Sequence, residues 1–113
     1  MDIREWCKRV HANNLIHGFY DGPDADNLDR KLLLAVGELA EAQEELRSGH
    51  HPTDLYFTGP EDDSKPEGFG IELADAVIRI MDICARYGID LQHCIETKHE
   101  YNLVRPYKHN KAF

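Results

Sequence analysis

This 113-residue sequence has little of what marks secreted, membrane-spanning or nucleic-acid-binding chains. No stretch approaches the roughly 18 apolar residues that a membrane span requires, and the opening Met1-Asp2-Ile3-Arg4-Glu5 carries no apolar leader. Cysteine is scarce. Cys7, Cys84 and Cys94 are odd in number and widely spaced, with no C-x-x-C among them, which excludes a disulfide framework or zinc ribbon and favours free thiols in a cytoplasmic, reducing setting. Basic residues number 13 against 21 acids, a formal charge of -8, so no basic surface is available to neutralise a nucleic-acid backbone. Neither G-x-x-x-x-G-K-[ST] nor G-x-G-x-x-G occurs, which excludes nucleotide binding of the P-loop or Rossmann kind. No segment alternates with period two, so strands are not expected.

What is present is helical periodicity. Four segments carry apolar residues at a 3.6-residue spacing, and the expected fold is all-α, a four- to five-helix bundle in one domain over 1–113. The first helix runs from about Asp2 to Phe19 and stops before the turn Asp21-Gly22-Pro23. The second begins at an Asn27 N-cap and ends at Ser48-Gly49, with Leu28, Leu32, Val36, Leu39 and Leu46 as its main apolar face. A loop follows at about 49–69, rich in Gly, Pro, His and acids. The third helix spans about Gly70 to Tyr87 and closes at Gly88; the fourth starts from Asp90, with Ile89 and Cys94 as a hydrophobic staple, and ends before Pro106. So short a link makes these two antiparallel neighbours. A basic tail occupies about 104–113. A chain of this length cannot enclose a large cavity unaided, which makes self-association a natural expectation.

Carboxylates at helical spacing are the chemical signal. The third helix has a wide apolar arc of Leu73, Ala74, Val77, Ile78, Ile80, Met81 and Cys84, and one polar stripe of Glu72, Asp75, Arg79, Asp82 and Arg86. Glu72 and Asp75 lie one turn apart and can reach one cation. On the second helix, Glu38, Glu41 and Glu45 share a stripe that begins with Leu34 and is therefore partly buried. A lone E-x-x-E is most often a solvated face, with Asp75–Arg79 and Asp82–Arg86 as ordinary i,i+4 pairs. Two such pairs on helices that pack together point instead to Mg²⁺, with Mn²⁺ able to substitute, because both cations take oxygen ligands and are held by a few carboxylates plus substrate phosphates. A divalent ion also relieves the repulsion among four acids in one cleft and helps turn a bound water into a nucleophile. Lys98 and Asn102 fall on the same stripe of the fourth helix as Leu91 and Ile95. They either snorkel and cap, or point into the cleft toward phosphate together with Arg105 and Tyr107 or Lys108.

The ordered pattern Glu38-x-x-Glu41, Glu72-x-x-Asp75, Lys98-x-x-x-Asn102-x-x-Arg105-Pro106-Tyr107 resembles the MazG-like nucleotide pyrophosphohydrolases. The runs Gly37 to Ala42, Lys65 to Gly68, Glu72 to Arg79 and Tyr101 to Tyr107 resemble that family's blocks, and the likeness covers most of the chain from about Leu28 onward. It implies the all-α NTP pyrophosphatase fold, usually as a homodimer or homotetramer. It also implies attack of a metal-activated water between the α and β phosphates of a nucleoside triphosphate, giving the (d)NMP and pyrophosphate in a house-cleaning role. Carried over by position, Glu38, Glu41, Glu72 and Asp75 match the metal ligands. One of the glutamates, or Glu45 beside them, orients the water, and Lys98, Asn102 and Arg105 match phosphate-contacting positions. The separation of Glu41 from Glu72 is somewhat longer than in many members, the excess lying in the 49–69 loop.

Other residues weigh less. Trp6, His17, Phe19 and Tyr20 could stack on a base, though aromatics of a first helix more often belong to the core. His50-His51 lacks further ligands for a transition metal, and Cys84 sits on the deep apolar arc without a basic neighbour, as a core thiol does. Two rival readings remain. One is phosphoribosyl-ATP pyrophosphohydrolase, which shares the carboxylate logic. The other is a non-catalytic helical module whose acids are solvated and whose third helix is a partner interface.

Overall fold

The computed structural model describes residues 1–106; Tyr107, Lys108 and most of the expected basic tail lie outside the described residues. Four helices form: α1 (Ile3–Ile16), α2 (Leu28–Arg47), α3 (Phe69–Arg86) and α4 (Leu91–Leu103). Their ends follow local chemistry. The side chains of Asp2, Asn27 and Asp90 each accept a backbone N–H in the first turn, from Glu5, Arg30 and His93. At the end of α3, Gly88 takes φ 69°, and the N–H of Ile89 donates to the Cys84 carbonyl at 2.8 Å, a Schellman closure that directs the chain straight into α4. The end of α2 closes the same way, through Gly49 and a bond from His50 N–H to the Glu45 carbonyl.

The expectation of helices alone needs one correction. The 49–69 segment folds into an antiparallel hairpin, β1 (Tyr56–Thr58) with β2 (Lys65–Glu67), in which Tyr56 pairs with Glu67 and a 3₁₀ turn at Glu61–Asp63 makes the link. Three-residue strands are too short to display a period, which is why alternation gave no warning. The hairpin is tied down by side chains: the Tyr56 hydroxyl donates to both Glu45 carboxylate oxygens at 2.9 Å, and His50 stacks on the Tyr56 ring.

Packing centres on α3, which lies between α1 on one side and α2 on the other. The α2 seam is built from small residues, with Ala35, Ala42 and Ala76 buried, so the two backbones approach closely. Two further expectations are corrected here. α4 touches α1 instead of running back along α3, and no residue of α4 is buried. The leucine face of α2 is not core: Leu32, Val36 and Leu39 are 51%, 58% and 52% exposed, while the stripe Ala35, Glu38, Ala42 and Glu45 turns inward. Much of α3's apolar arc is likewise open at Leu73, Val77 and Ile80, and its buried residues are Ala76, Asp82, Ile83 and Cys84.

Candidate functional site

The inward stripe of α2 faces the polar stripe of α3, and this brings the acids together. One carboxylate oxygen each from Glu38, Glu72 and Asp75 lie within 4.8 Å of one another. A second trio, Glu45, Glu67 and Glu72, meets the same criterion and shares Glu72 with the first. Glu67 had no place among the sequence candidates. It arrives on β2, opposite Tyr56, and accepts a bond from the Thr58 hydroxyl at 2.6 Å. The hairpin therefore adds a fifth carboxylate group to the seam, and the only hint in the sequence was Glu67's place within Lys65-Pro66-Glu67-Gly68. Glu41 is exposed and belongs to neither trio, but its charge acts on Glu72.

Crowding leaves an electrostatic signature. The Glu72 carboxyl is pushed up to about 7, first by burial, then by the charge of Asp75, by hydrogen bonding to Glu38, and by the charges of Glu38 and Glu41. Asp75 is raised as well, first by burial and then by Glu38, with Arg79 and Lys65 acting against the shift. Arg79 reaches across the seam, donating from Nε to Glu38 at 2.9 Å, and not to Asp75 one turn back as the i,i+4 reading allowed. The Tyr56 hydroxyl, bonded to Glu45, is pushed up to about 12.

Among the described residues the two trios offer carboxylate oxygens from five side chains, the donor set that suits a hard divalent cation such as Mg²⁺ or Mn²⁺. A cleft of about 550 Å³ opens beside the seam, with Glu38, Asp75, Arg79, Asn14, Phe19 and Lys31 among its lining residues. That volume lies within the range of small-molecule sites, about 300–1,000 Å³. Of the aromatics considered for base stacking, Phe19 lines this cleft. Tyr20 is committed elsewhere, donating its hydroxyl to Asp82, while His17 bonds the Asn13 carbonyl and Trp6 is half-exposed on α1.

The cations of the fourth helix are not brought to the acids within one chain. Lys98 and Arg105 both lie over the ring of Tyr101, at 4.9 and 5.2 Å from its centroid, and Arg105 donates to Asn102 Oδ1 at 3.1 Å. None of the three lines the cleft. Tyr107 lies outside the described residues.

At the other end of α3 the same stripe carries a different network. Asp82 is 7% exposed, accepts from the Tyr20 hydroxyl at 2.5 Å and meets His11 Nδ1 at 2.7 Å. Arg86 forms two bonds to the Asp26 carboxylate, which holds that carboxyl below its usual range, and lies over the Tyr20 ring. Together with the bond from Tyr87 hydroxyl to the Asp26 carbonyl, these contacts pin the α1–α2 connection that forms one wall of the cleft. Sequence reasoning counted Asp82 among stripe residues without finding His11, Tyr20 or Asp26 as its partners.

No family model, no curated protein and no solved structure matches this chain.

Proposed function

We propose that the chain is a Mg²⁺-dependent pyrophosphohydrolase that converts a nucleoside triphosphate, ribo or deoxyribo, into the monophosphate and pyrophosphate. The observation that carries this reading is the pair of overlapping carboxylate trios that share Glu72, whose proton is retained up to about pH 7 without a cation to balance the cluster. Acids kept in this arrangement at a cost to one another are expected where a cation is to be received.

In this reading Glu38, Glu41, Glu72 and Asp75 hold the ion, and Glu67 joins them from the hairpin. The cation, when bound, offsets charge on the phosphates and in the transition state. Arg79 fixes the Glu38 carboxylate. The attacking water bonds to the α-phosphorus, the bond to the bridging oxygen breaks, pyrophosphate leaves with the electron pair, and the proton passes to Glu41 or Glu45. Glu45 suits that role because the Tyr56 hydroxyl already orients its carboxylate. The nucleoside occupies the cleft toward Phe19 and Asn14. Lys98, Asn102, Arg105 and Tyr107 serve the phosphates. The proposed setting is the cytoplasm, as a homodimer or homotetramer; no described helix is long and apolar enough to cross a membrane, and the three cysteines are free thiols.

The test is pyrophosphate release from a panel of canonical and modified ribo- and deoxynucleoside triphosphates and phosphoribosyl-ATP, with Mg²⁺, with Mn²⁺ and with chelator. Metal-dependent release of monophosphate and pyrophosphate supports the reading, and the preferred substrate names the branch. No release from any member, together with no rise in melting temperature on adding Mg²⁺, would leave the non-catalytic helical module in its place.

A further inference from the structure

A second cavity, of about 420 Å³, lies between α1 and the elbow at Gly88 where α3 passes into α4. Small-molecule sites occupy about 300–1,000 Å³, so this space suits a compact ligand. Its walls are mostly apolar: Ala12 and Leu15 from α1, Cys84 and Ala85 from α3, and Ile89 and Leu91 from the elbow and the start of α4. Cys7 and Cys84 both border it, and burial pushes each thiol up, so neither supplies an anion or a ready nucleophile. None of these residues belongs to the carboxylate seam, and the proposed hydrolysis uses none of them.

The basic groups of the cavity come from one row of α1, where Arg4, Lys8 and His11 follow at helical intervals of four and three residues and so share a face. Two of the three are already matched. Arg4 donates to both carboxylate oxygens of Asp90, the one acid among the lining residues, and His11 Nδ1 meets Asp82 at 2.7 Å. Lys8 forms no ion pair among the described residues. The cavity therefore presents one uncompensated positive charge beside an apolar wall, the complement of a monoanion with a hydrocarbon body. His11 also links two sites. It lines this cavity while its partner Asp82 lines the cleft beside the carboxylate seam, so their hydrogen bond is a partition between the two. From Asp82 the contacts continue to the Tyr20 hydroxyl, and from the Tyr20 ring to Lys31, whose ammonium sits 4.1 Å from the ring centroid and itself lines the cleft.

We propose that this cavity is an effector site for a small organic monoanion with an apolar body, of the kind a medium-chain carboxylate represents. Its head is held by Lys8 beside the His11 ring, and its chain lies against Leu15, Ile89 and Leu91. An eight-carbon carboxylate has about ten non-hydrogen atoms, which at roughly 30 Å³ apiece, the share of a liquid water, come to about 300 Å³ and fit the space. Negative charge beside the ring favours the doubly protonated imidazole, whose Nδ1–H holds Asp82 more strongly as a charged donor. Asp82 in turn fixes Tyr20, and with it the α1–α2 connection that walls the cleft. Binding and its transmission stand apart from what the cleft hydrolyses; only the step from cleft wall to nucleotide rests on the pyrophosphohydrolase reading.

Probes of one length and different heads test this: octanoate, octanol and octylammonium, each titrated below micelle formation into isotope-labelled protein while its amide signals are recorded. Octanoate should shift the signals of Lys8, Ala12, Ala85 and Leu91 with a dissociation constant about 10-fold or more below that of octanol, the scale of one charged hydrogen bond, and octylammonium should bind worst. Lys8→Glu, a change at an exposed position, should reverse the order and make octylammonium the best of the three. Gly22 and Ala25, which line the cleft, should shift along the same octanoate curve in the wild type. In His11→Phe protein, which keeps a ring and loses the bond to Asp82, those two signals should stay in place while the cavity's own signals move. No saturable binding of octanoate, equal affinity for octanoate and octanol, or octanoate binding unchanged by Lys8→Glu would each overturn the site, the last two assigning the cavity to uncharged apolar groups. Wild-type shifts confined to the cavity would overturn the effector role, whether or not His11→Phe folds and whether or not the protein hydrolyses nucleotides.

Discussion

The two ends of α3 present the same stripe of polar residues and treat it in opposite ways. Toward the C-terminus, Asp82 is the most enclosed charged group of the stripe and its acceptors are met by Tyr20 and His11, while Arg86 is matched by Asp26. Toward the N-terminus, Glu72 and Asp75 face Glu38, Glu45 and Glu67, acids meeting acids. The first arrangement stabilises a fold, because buried acceptors that find donors no longer pay for lost water. The second opposes the fold, because Arg79 at Glu38 and Lys65 at Glu67 offset only part of the crowding until a further cation enters. A helix whose periodicity is uniform thus carries a structural half and a functional half, and what distinguishes them is the sign of the groups brought opposite by other elements.

Removing the matched acid is the sharpest way to test this division. Asp82→Ala leaves the Tyr20 hydroxyl and His11 without their partner inside the α1–α3 seam, and a cost of about 3 kcal/mol is expected. Against a total stability of about 5–15 kcal/mol, that is a large fraction. Urea unfolding followed by circular dichroism reads it directly. An unchanged midpoint would show that the network contributes nothing and that the contrast between the two ends is illusory.

The unmatched end responds to pH in the opposite sense from most carboxylates. Because the folded-state value of Glu72 is raised from 4.5 to about 7, and Asp75 is raised too, the folded protein holds protons that the unfolded chain has released. The contribution of Glu72 to stability is therefore full below about pH 4.5 and is lost as pH rises to about 7, and Asp75 adds to the loss in the same direction. Thermal melts of chelated protein across that window should show the decline, and saturating Mg²⁺ should reduce it by binding the deprotonated form. A melting temperature that climbs through the same window in chelator would contradict the crowding.

Glu72→Gln isolates one charge. Without metal it should raise stability by roughly 1 kcal/mol, the scale of a partly screened like-charge contact, and flatten the pH response. The same change should abolish the Mg²⁺-induced rise in melting temperature and cut turnover by about 100-fold or more, since a ligand shared by both trios is lost. Stability and activity moving in opposite directions is the expected mark of this half of α3. A loss of both would place Glu72 with Asp82, as a structural acid.

How much of this was legible before the coordinates depends on how far each feature reaches along the chain. Helix boundaries were, because Asn27, Asp90, Gly49 and Gly88 act on backbone groups a few residues away. The facing of Glu38 with Glu72 and Asp75 was legible too, since it needs only two helices meeting on their acidic stripes. Three features were not. The burial of Asp82 depends on groups 71 and 62 residues away, at His11 and Tyr20. Glu67 joins the seam only through a hairpin of three-residue strands. The leucine face of α2, which composition assigns to a core, is open because α2 turns alanines and glutamates to α3 instead. The short link at Gly88 correctly joins α3 to α4, but link length does not decide which neighbour α4 leans on, and α1 receives it.

The hairpin lies between the two halves in character, and the smallest expected effect tests which it serves. Tyr56 bridges β1 to Glu45 on α2, and His50 stacks on its ring, so the hydroxyl anchors the element that carries Glu67. Tyr56→Phe keeps the stacking surface and removes only the donor, at a cost of about 1 kcal/mol or less for one hydrogen bond to a charged acceptor near the surface. If the hairpin were merely a folded loop, that small loss of stability would be the whole effect. Because Glu45 and Glu67 belong to one trio, the substitution should also weaken the Mg²⁺-induced stabilisation while leaving the helical content unchanged. Melting curves of the variant with and without Mg²⁺ give both quantities in one experiment. A metal response equal to that of wild type would assign the hairpin to the fold alone and withdraw Glu67 from the site.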